Sequence, residues 1–266
     1  MRNASLKRMV AALCACALFA TACARANELT IHASPLGDFM VSIGPTLERS
    51  SGLMLEIING AFKAAGIQVR MARPAPWERA QLEALNEPGA ILPILTRTPL
   101  REPNWQWVSV IYVDKMVAYT IEGHPVYHNL AELKAAHPAI AVRLGSASES
   151  LLRSENLPAD AGPDMDENLM KLILGKVDVL LTQGIMIHPA VQDMLHGPHQ
   201  KHLGRWVERL RATPLMDLPE WVVVSRATSA ADAQRIKAAL ENFKRTPTYR
   251  DIIAKYEARM NHPEQP

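Results

Sequence analysis

The side chains that could do chemistry are few in this sequence. His196, His199 and His202 repeat as H-x-x-H-x-x-H, a spacing that could suit zinc, but Gly197-Pro198 prevents one regular helix from aligning them. A solvated loop is the expectation there, and no metal site is assigned. Ser146-Ala147-Ser148-Glu149 fits a capping box that would present free backbone N–H groups to an anionic group. Thr98-Pro99 reads as an N-cap with proline at the first helical position. Trp77 could line a pocket with its ring or pack in a core. There is no Gly-x-Ser-x-Gly elbow, no phosphate-cradling Gly-rich loop, and all three cysteines (Cys14, Cys16 and Cys23) lie near the N-terminus. The sequence therefore offers no catalytic residue and calls for no cofactor.

The N-terminus explains the cysteines. Arg2, Lys7 and Arg8 precede a short apolar run from Met9 to Ala20, and Ala24-Arg25-Ala26 offers a small-x-small cleavage site. Residues 1–26 read as a secretory signal peptide, with the mature chain starting at Asn27. Ala20-Thr21-Ala22-Cys23 has a lipoprotein-like outline, but Ala stands where a larger aliphatic residue is usual, so release as a soluble protein is favoured. The leader holds four of the 29 basic and none of the 27 acidic residues, leaving the mature chain at net −2. No basic stripe then argues for a nucleic-acid partner. A mature chain without cysteine must be held by packing alone.

The elements that would position a site alternate. Glu28 to Ala33 reads as a strand, Gly52 to Ala65 as a helix closed by Gly66, and Ile67 to Met71 as a further strand. Trp77 to Leu85 is a helical segment and Ala90 to Leu95 a buried strand. From Lys115 the alternation restarts: strand 116–120, helix 129–136, strand 139–144, helices 148–155 and 166–174, and strand 177–181. Two amphipathic helices end the chain, one capped by Ser229 and one entered at Thr246-Pro247. Alternation of this kind implies two parallel α/β units.

Thr96-Arg97-Thr98-Pro99-Leu100-Arg101 with Trp105, Trp107 and Tyr112, then Gly145-Ser146, Gly175-Lys176-Val177-Asp178 and the Thr248-Tyr249 to Tyr256 helix, resembles the bacterial extracellular solute-binding proteins of family 3. Pro76-Trp77-Glu78-Arg79-Ala80 and the Trp-rich stretch resemble a divergent branch of it. The resemblance covers nearly the whole mature chain. It implies an α/β, two-lobed, type II periplasmic-binding-protein fold, with two hinge strands and a ligand cleft between the lobes. Lobe 1 would be residues 27–113 plus 221–266, and lobe 2 residues 114–220.

The resemblance also implies roles. Arg101 would clamp a ligand carboxylate with its guanidinium fork, Thr96 would help hold it, and Ser146 would close on it from lobe 2. Trp77 would line the pocket. Gln183 stands where amino-acid binders commonly place an aspartate for the ligand ammonium, and an amide supplies no counter-charge. The implied protein is a periplasmic monomer that passes a small carboxylate-bearing solute to an inner-membrane ABC permease. Two alternatives stay open: an enzyme on the same scaffold, similar to cyclohexadienyl dehydratases with Glu149 or Asp178 as its acid, and a ligand-binding module of a sensory system.

Overall fold

The computed structural model describes residues 28–196 and 206–261. The proposed leader with its cysteines lies outside them, as do His199 and His202 of the histidine trio, while His196 is within them. Within the described residues, eight strands form one sheet in the order β2-β1-β3-β8-β4-β7-β5-β6. They are β1 Thr30–Ile31, β2 Arg70–Met71, β3 Ala90–Thr96, β4 Trp105–Ile121, β5 Ile140–Arg143, β6 Asp160–Gly162, β7 Val179–Gln183 and β8 Leu210–Ser225.

Parallel pairing dominates each end of the sheet: β1 lies beside β2 and β3, and β5 beside β6 and β7. Parallel strands need long crossovers, and helices supply them. Helices α1 (Leu53–Ala65) and α2 (Trp77–Leu85) serve the first lobe, while α3 (Leu130–Ala136), α4 (Ala147–Ser154) and α5 (Met165–Ile173) serve the second. Helix α6 (His188–His196) follows β7, and α7 (Ala230–Phe243) and α8 (Pro247–Asn261) return to the first lobe.

Local chemistry sets many of these boundaries. Helix α1 ends where Gly66 takes a left-handed φ of 64°, a conformation that costs glycine little. Asn129, Ser146, Asp164 and Ser229 each accept a backbone N–H from the third residue on, capping α3, α4, α5 and α7. Pro93 lies inside β3, and the β3–β8 register shifts between Leu92 and Leu95, since proline has no N–H for the ladder.

The two lobes are joined by β4 and β8. These antiparallel strands of 17 and 16 residues pair from Trp105↔Ser225 to Ile121↔Leu210. One hydrophobic core fills the first lobe, where Phe39, Leu53, Ile58, Phe62, Ile91, Val223, Leu240 and Tyr256 are each at most 1% exposed. Two smaller clusters cover opposite faces of the second-lobe sheet, one around Leu169 and Leu180 and one around Leu133, Val142 and Leu181. Ile185 and Met186, just after β7, pack into the first-lobe core, so the lobes are in contact. No described helix is long and apolar enough to cross a membrane.

Candidate functional site

The carboxyl ends of β3, β5 and β7 point to one place, as open α/β sheets generally arrange around a ligand crevice. Thr96 ends β3, Arg143 ends β5 and Gln183 ends β7. Strand β8 adds Glu220, which lies opposite Thr96 on one side and Tyr112 on the other. The cleft they share encloses about 390 Å³ not filled by atoms, part of it open to solvent. Leu36, Phe39, Trp77 and Met186 contribute apolar walls, and Arg101 and Ser146 complete the polar ones.

Glu220 is the residue the sequence analysis missed. Its side chain is fully buried, and Thr96 Oγ1 lies 2.9 Å from both carboxylate oxygens, while Gln183 Nε2 donates to Oε1 at 2.8 Å. Burial pushes its carboxyl up to about 7, aided by nearby Asp114 and opposed by the Gln183 and Thr96 hydrogen bonds and by Arg101. One signal was available: a lone acid between Leu218 and the Val222–Val224 run, in a segment whose neighbours are apolar. A carboxyl group absent at position 183 is thus present in the cleft, on the hinge strand and hydrogen-bonded to Gln183 itself. Thr96 spends its hydroxyl on Glu220 and positions that acid.

Arg101 reaches across the cleft. Its Nη1 donates to Thr96 O at 3.1 Å in the first lobe, and its Nη2 donates to Gly145 O at 2.8 Å in the second. Burial lowers its pKa to about 10, with Glu220 and Glu149 acting the other way, so it stays cationic at neutral pH. Arg97 is a surface residue by contrast. It pairs with Glu102, and its guanidinium lies 5.4 Å from the ring centroids of Trp107 and Trp221.

The turn carrying Arg101 corrects one expectation. Thr98 does not cap a helix with its side chain: its carbonyl accepts Arg101 N–H at 3.0 Å and Glu102 N–H at 2.9 Å, shaping a short 3-10 turn over Glu102–Asn104. Its hydroxyl lies 2.9 Å from Ser150 Oγ in α4, a further contact between the lobes.

Ser146 caps α4 by accepting Glu149 N–H at 3.1 Å, and the Glu149 carboxylate accepts Gly145 N–H at 2.6 Å. Gly145 has φ +72°, and a Cβ there would sit 3.2 Å from Glu78 Cβ of α2, so glycine permits both the turn and the close approach of the lobes. Gln81 of α2 also donates to Gly145 O at 3.3 Å. Trp77 is 6% exposed, belongs to the first-lobe core and lines the cleft, so its two readings hold together.

Arg143 was also missed. Its Nε is buried without a hydrogen-bond partner, and its Nη2 reaches Pro35 O at 3.4 Å. Burial lowers its pKa, with Asp164 opposing. The two acids named from sequence are otherwise engaged. Asp178 precedes β7 at the end away from the cleft and accepts Ala139 N–H at 2.8 Å, and Glu149 pairs with Arg153 at 2.6 Å. Also at the lobe contact, buried Asp38 lies 2.7 Å from His188 Nδ1 and 3.3 Å from Arg259 Nη1. Among the described residues no group of three His, Cys, Asp or Glu side chains is placed to hold a metal ion.

No protein-family model and no curated protein sequence matches the chain. Solved structures do. A histidine kinase sensor domain with similarity to periplasmic binding proteins superposes with a TM-score of 0.69 at 13% identity, over 87% of this chain and 96% of that one. An arginine-, lysine-, histidine-binding protein from Geobacillus stearothermophilus gives 0.65 at 15% identity, over 90% and 100%. An ancestral amino acid-binding protein described as a precursor of cyclohexadienyl dehydratase gives 0.64 at 15% identity, over 86% and 95%. With its paired α/β lobes, two hinge strands and intervening cleft, the chain has the two-lobed fold of the periplasmic binding proteins.

Proposed function

We propose that this protein is a periplasmic solute-binding protein that captures a small carboxylate-bearing solute by lobe closure and delivers it, as a monomer, to an inner-membrane ABC permease. The observation that carries the reading is Arg101, a cleft guanidinium bonded to backbone carbonyls of both lobes. Rearranging those two donors toward a carboxylate would couple solute binding to closure. The moving bodies are residues 27–113 with 221–266, and residues 114–220, turning about the mid-points of β4 and β8. Ser146 and the amides at the start of α4 approach from the second lobe, and Gln183 with Glu220 reads a polar group of the solute.

Isothermal titration of the solute released from the purified protein, with the parent and Arg101→Ala, tests this reading. A weakening of tenfold or more is expected, since charge-assisted hydrogen bonds contribute about 1.5–3 kcal/mol. Equal affinity would remove Arg101 from the site.

Glu220 favours one second reading. A cleft acid whose carboxyl titrates near 7 is suited to proton transfer, so an enzyme on this scaffold would use Glu220 in place of Glu149 or Asp178. Release of water and carbon dioxide from a prephenate-like substrate, lost in Glu220→Gln, would establish it.

A further inference from the structure

The cleft is not balanced in its hydrogen-bonding groups. Its acid already has two donors: the Thr96 hydroxyl, 2.9 Å from both Glu220 oxygens, and the Gln183 amide at 2.8 Å. Its unsatisfied group is a donor, the buried Nε–H of Arg143. The remaining contact of that guanidinium, to Pro35 O at 3.4 Å, is long for a hydrogen bond. A buried donor without an acceptor is destabilising, and an acceptor brought by a solute would relieve it.

The charges lean the same way. The ionisable side chains lining the cleft are Arg101, Arg143 and Glu220, two cations against one acid. Gln183 adds nothing to the negative side. Asp164, the acid that acts on Arg143, caps α5 by accepting Glu167 N–H at 2.8 Å and does not line the cleft. An anion entering this space faces both guanidinium groups, whereas an ammonium would face them with Glu220 as the one acid among the lining residues; Glu149, Asp114 and Asp164 act on these groups from behind the lining.

Resting on the cleft reading above, we infer that Arg143 is a second anion anchor and that the solute is a net-anionic organic acid bearing hydroxyl or oxo oxygen where an amino acid bears its ammonium. One anionic group lies on Arg101, another acceptor of the solute lies on Arg143, and the oxygen replacing the amine lies by Gln183 and Glu220.

Matched pairs differing in that one group test the inference: lactate against alanine, malate against aspartate, and phenyllactate against phenylalanine. Their affinities would be measured by titration calorimetry on the full mature chain. The hydroxy acid is expected to bind at least tenfold more tightly in every pair that binds. Arg143→Gln should weaken it at least tenfold, and Arg143→Lys, which keeps the charge, should recover part of the loss. Melting temperature without solute separates a structural role, which would move the melting point and leave affinity alone.

Tighter binding of the amino acids overturns the inference. So does Arg143→Gln affinity within twofold of the parent while Arg101→Ala loses binding, a result that leaves the cleft reading standing. If no member of any pair binds and no solute is released from the purified protein, the cleft reading itself fails, and this inference with it.

Discussion

Glu220→Gln is the substitution whose consequence can be worked furthest. The carboxyl has an ordinary value of 4.5 and is pushed to about 7 in the folded chain, chiefly by burial. Between those values the folded protein holds a proton that the unfolded chain has released, so stability falls as pH rises through this window and levels off above 7. At about 1.4 kcal/mol per tenfold, the total is about 3 kcal/mol. Glutamine keeps the shape and still accepts from a donor, but it does not titrate. Asp114, raised by burial to about 6, titrates in both proteins and largely cancels in the comparison. Urea unfolding at half-unit steps from pH 4.5 to 8.5 should therefore show the variant gaining on the parent by about 3 kcal/mol in total, most steeply between pH 5 and 7. A difference that stays constant with pH would show that Glu220 is not held as a buried, strained acid.

Other outcomes follow from the contacts. Gly37 has φ +53° and a Cβ there would lie 2.9 Å from Met186 Cα across the lobe contact, so Gly37→Ala should impede closure. Small-angle scattering with saturating solute should then give a larger radius of gyration than the parent, and an unchanged radius would contradict the closed geometry. Gly60→Ala would place its methyl 2.3 Å from the Phe243 ring between α1 and α7, costing about 1–3 kcal/mol in urea unfolding with solute affinity intact. Leu133→Ala empties part of the second-lobe core, where Leu133 is 0% exposed, and should cost about 2–5 kcal/mol. Ser229→Ala removes the Asp232 N–H acceptor at the start of α7, and a loss of about 1 kcal/mol is expected.

Elements with a clear period were legible in the sequence. Helix α2 runs from Trp77 to Leu85 as read, the Thr246-Pro247 break opens α8, and Ser146 and Ser229 cap as their spacing implied. The hinge was less legible. Strand β4 is continuous from Trp105 to Ile121, yet the sequence was divided near Lys115, because a strand that crosses between lobes meets a different environment in each half and keeps no single alternation. Strand β8 was not assigned: Pro214 and Pro219 interrupt its pattern, and each sits where pairing with β4 still holds, opposite Val117 and Val113.

The site followed the same division. Arg101, Thr96, Ser146, Gln183 and Trp77 all line the cleft, placed there by motifs that mark strand ends and caps. Glu220 lies inside a strand and Arg143 at the end of one, neither in a motif, and only the tertiary structure brings both to the cleft. Gln183 accordingly changes its meaning. Read alone it removes a carboxylate, whereas in the fold it donates to a carboxyl that β8 supplies.

The central claim, that the interlobe cleft holds a small acidic solute, is tested most directly by native mass spectrometry of the purified mature protein. Denaturation and identification of what is released should follow. The account predicts one small carboxylate-bearing molecule per chain, absent from Arg101→Ala prepared in the same way. A chain that retains the same molecule at the same occupancy after Arg101→Ala would contradict it.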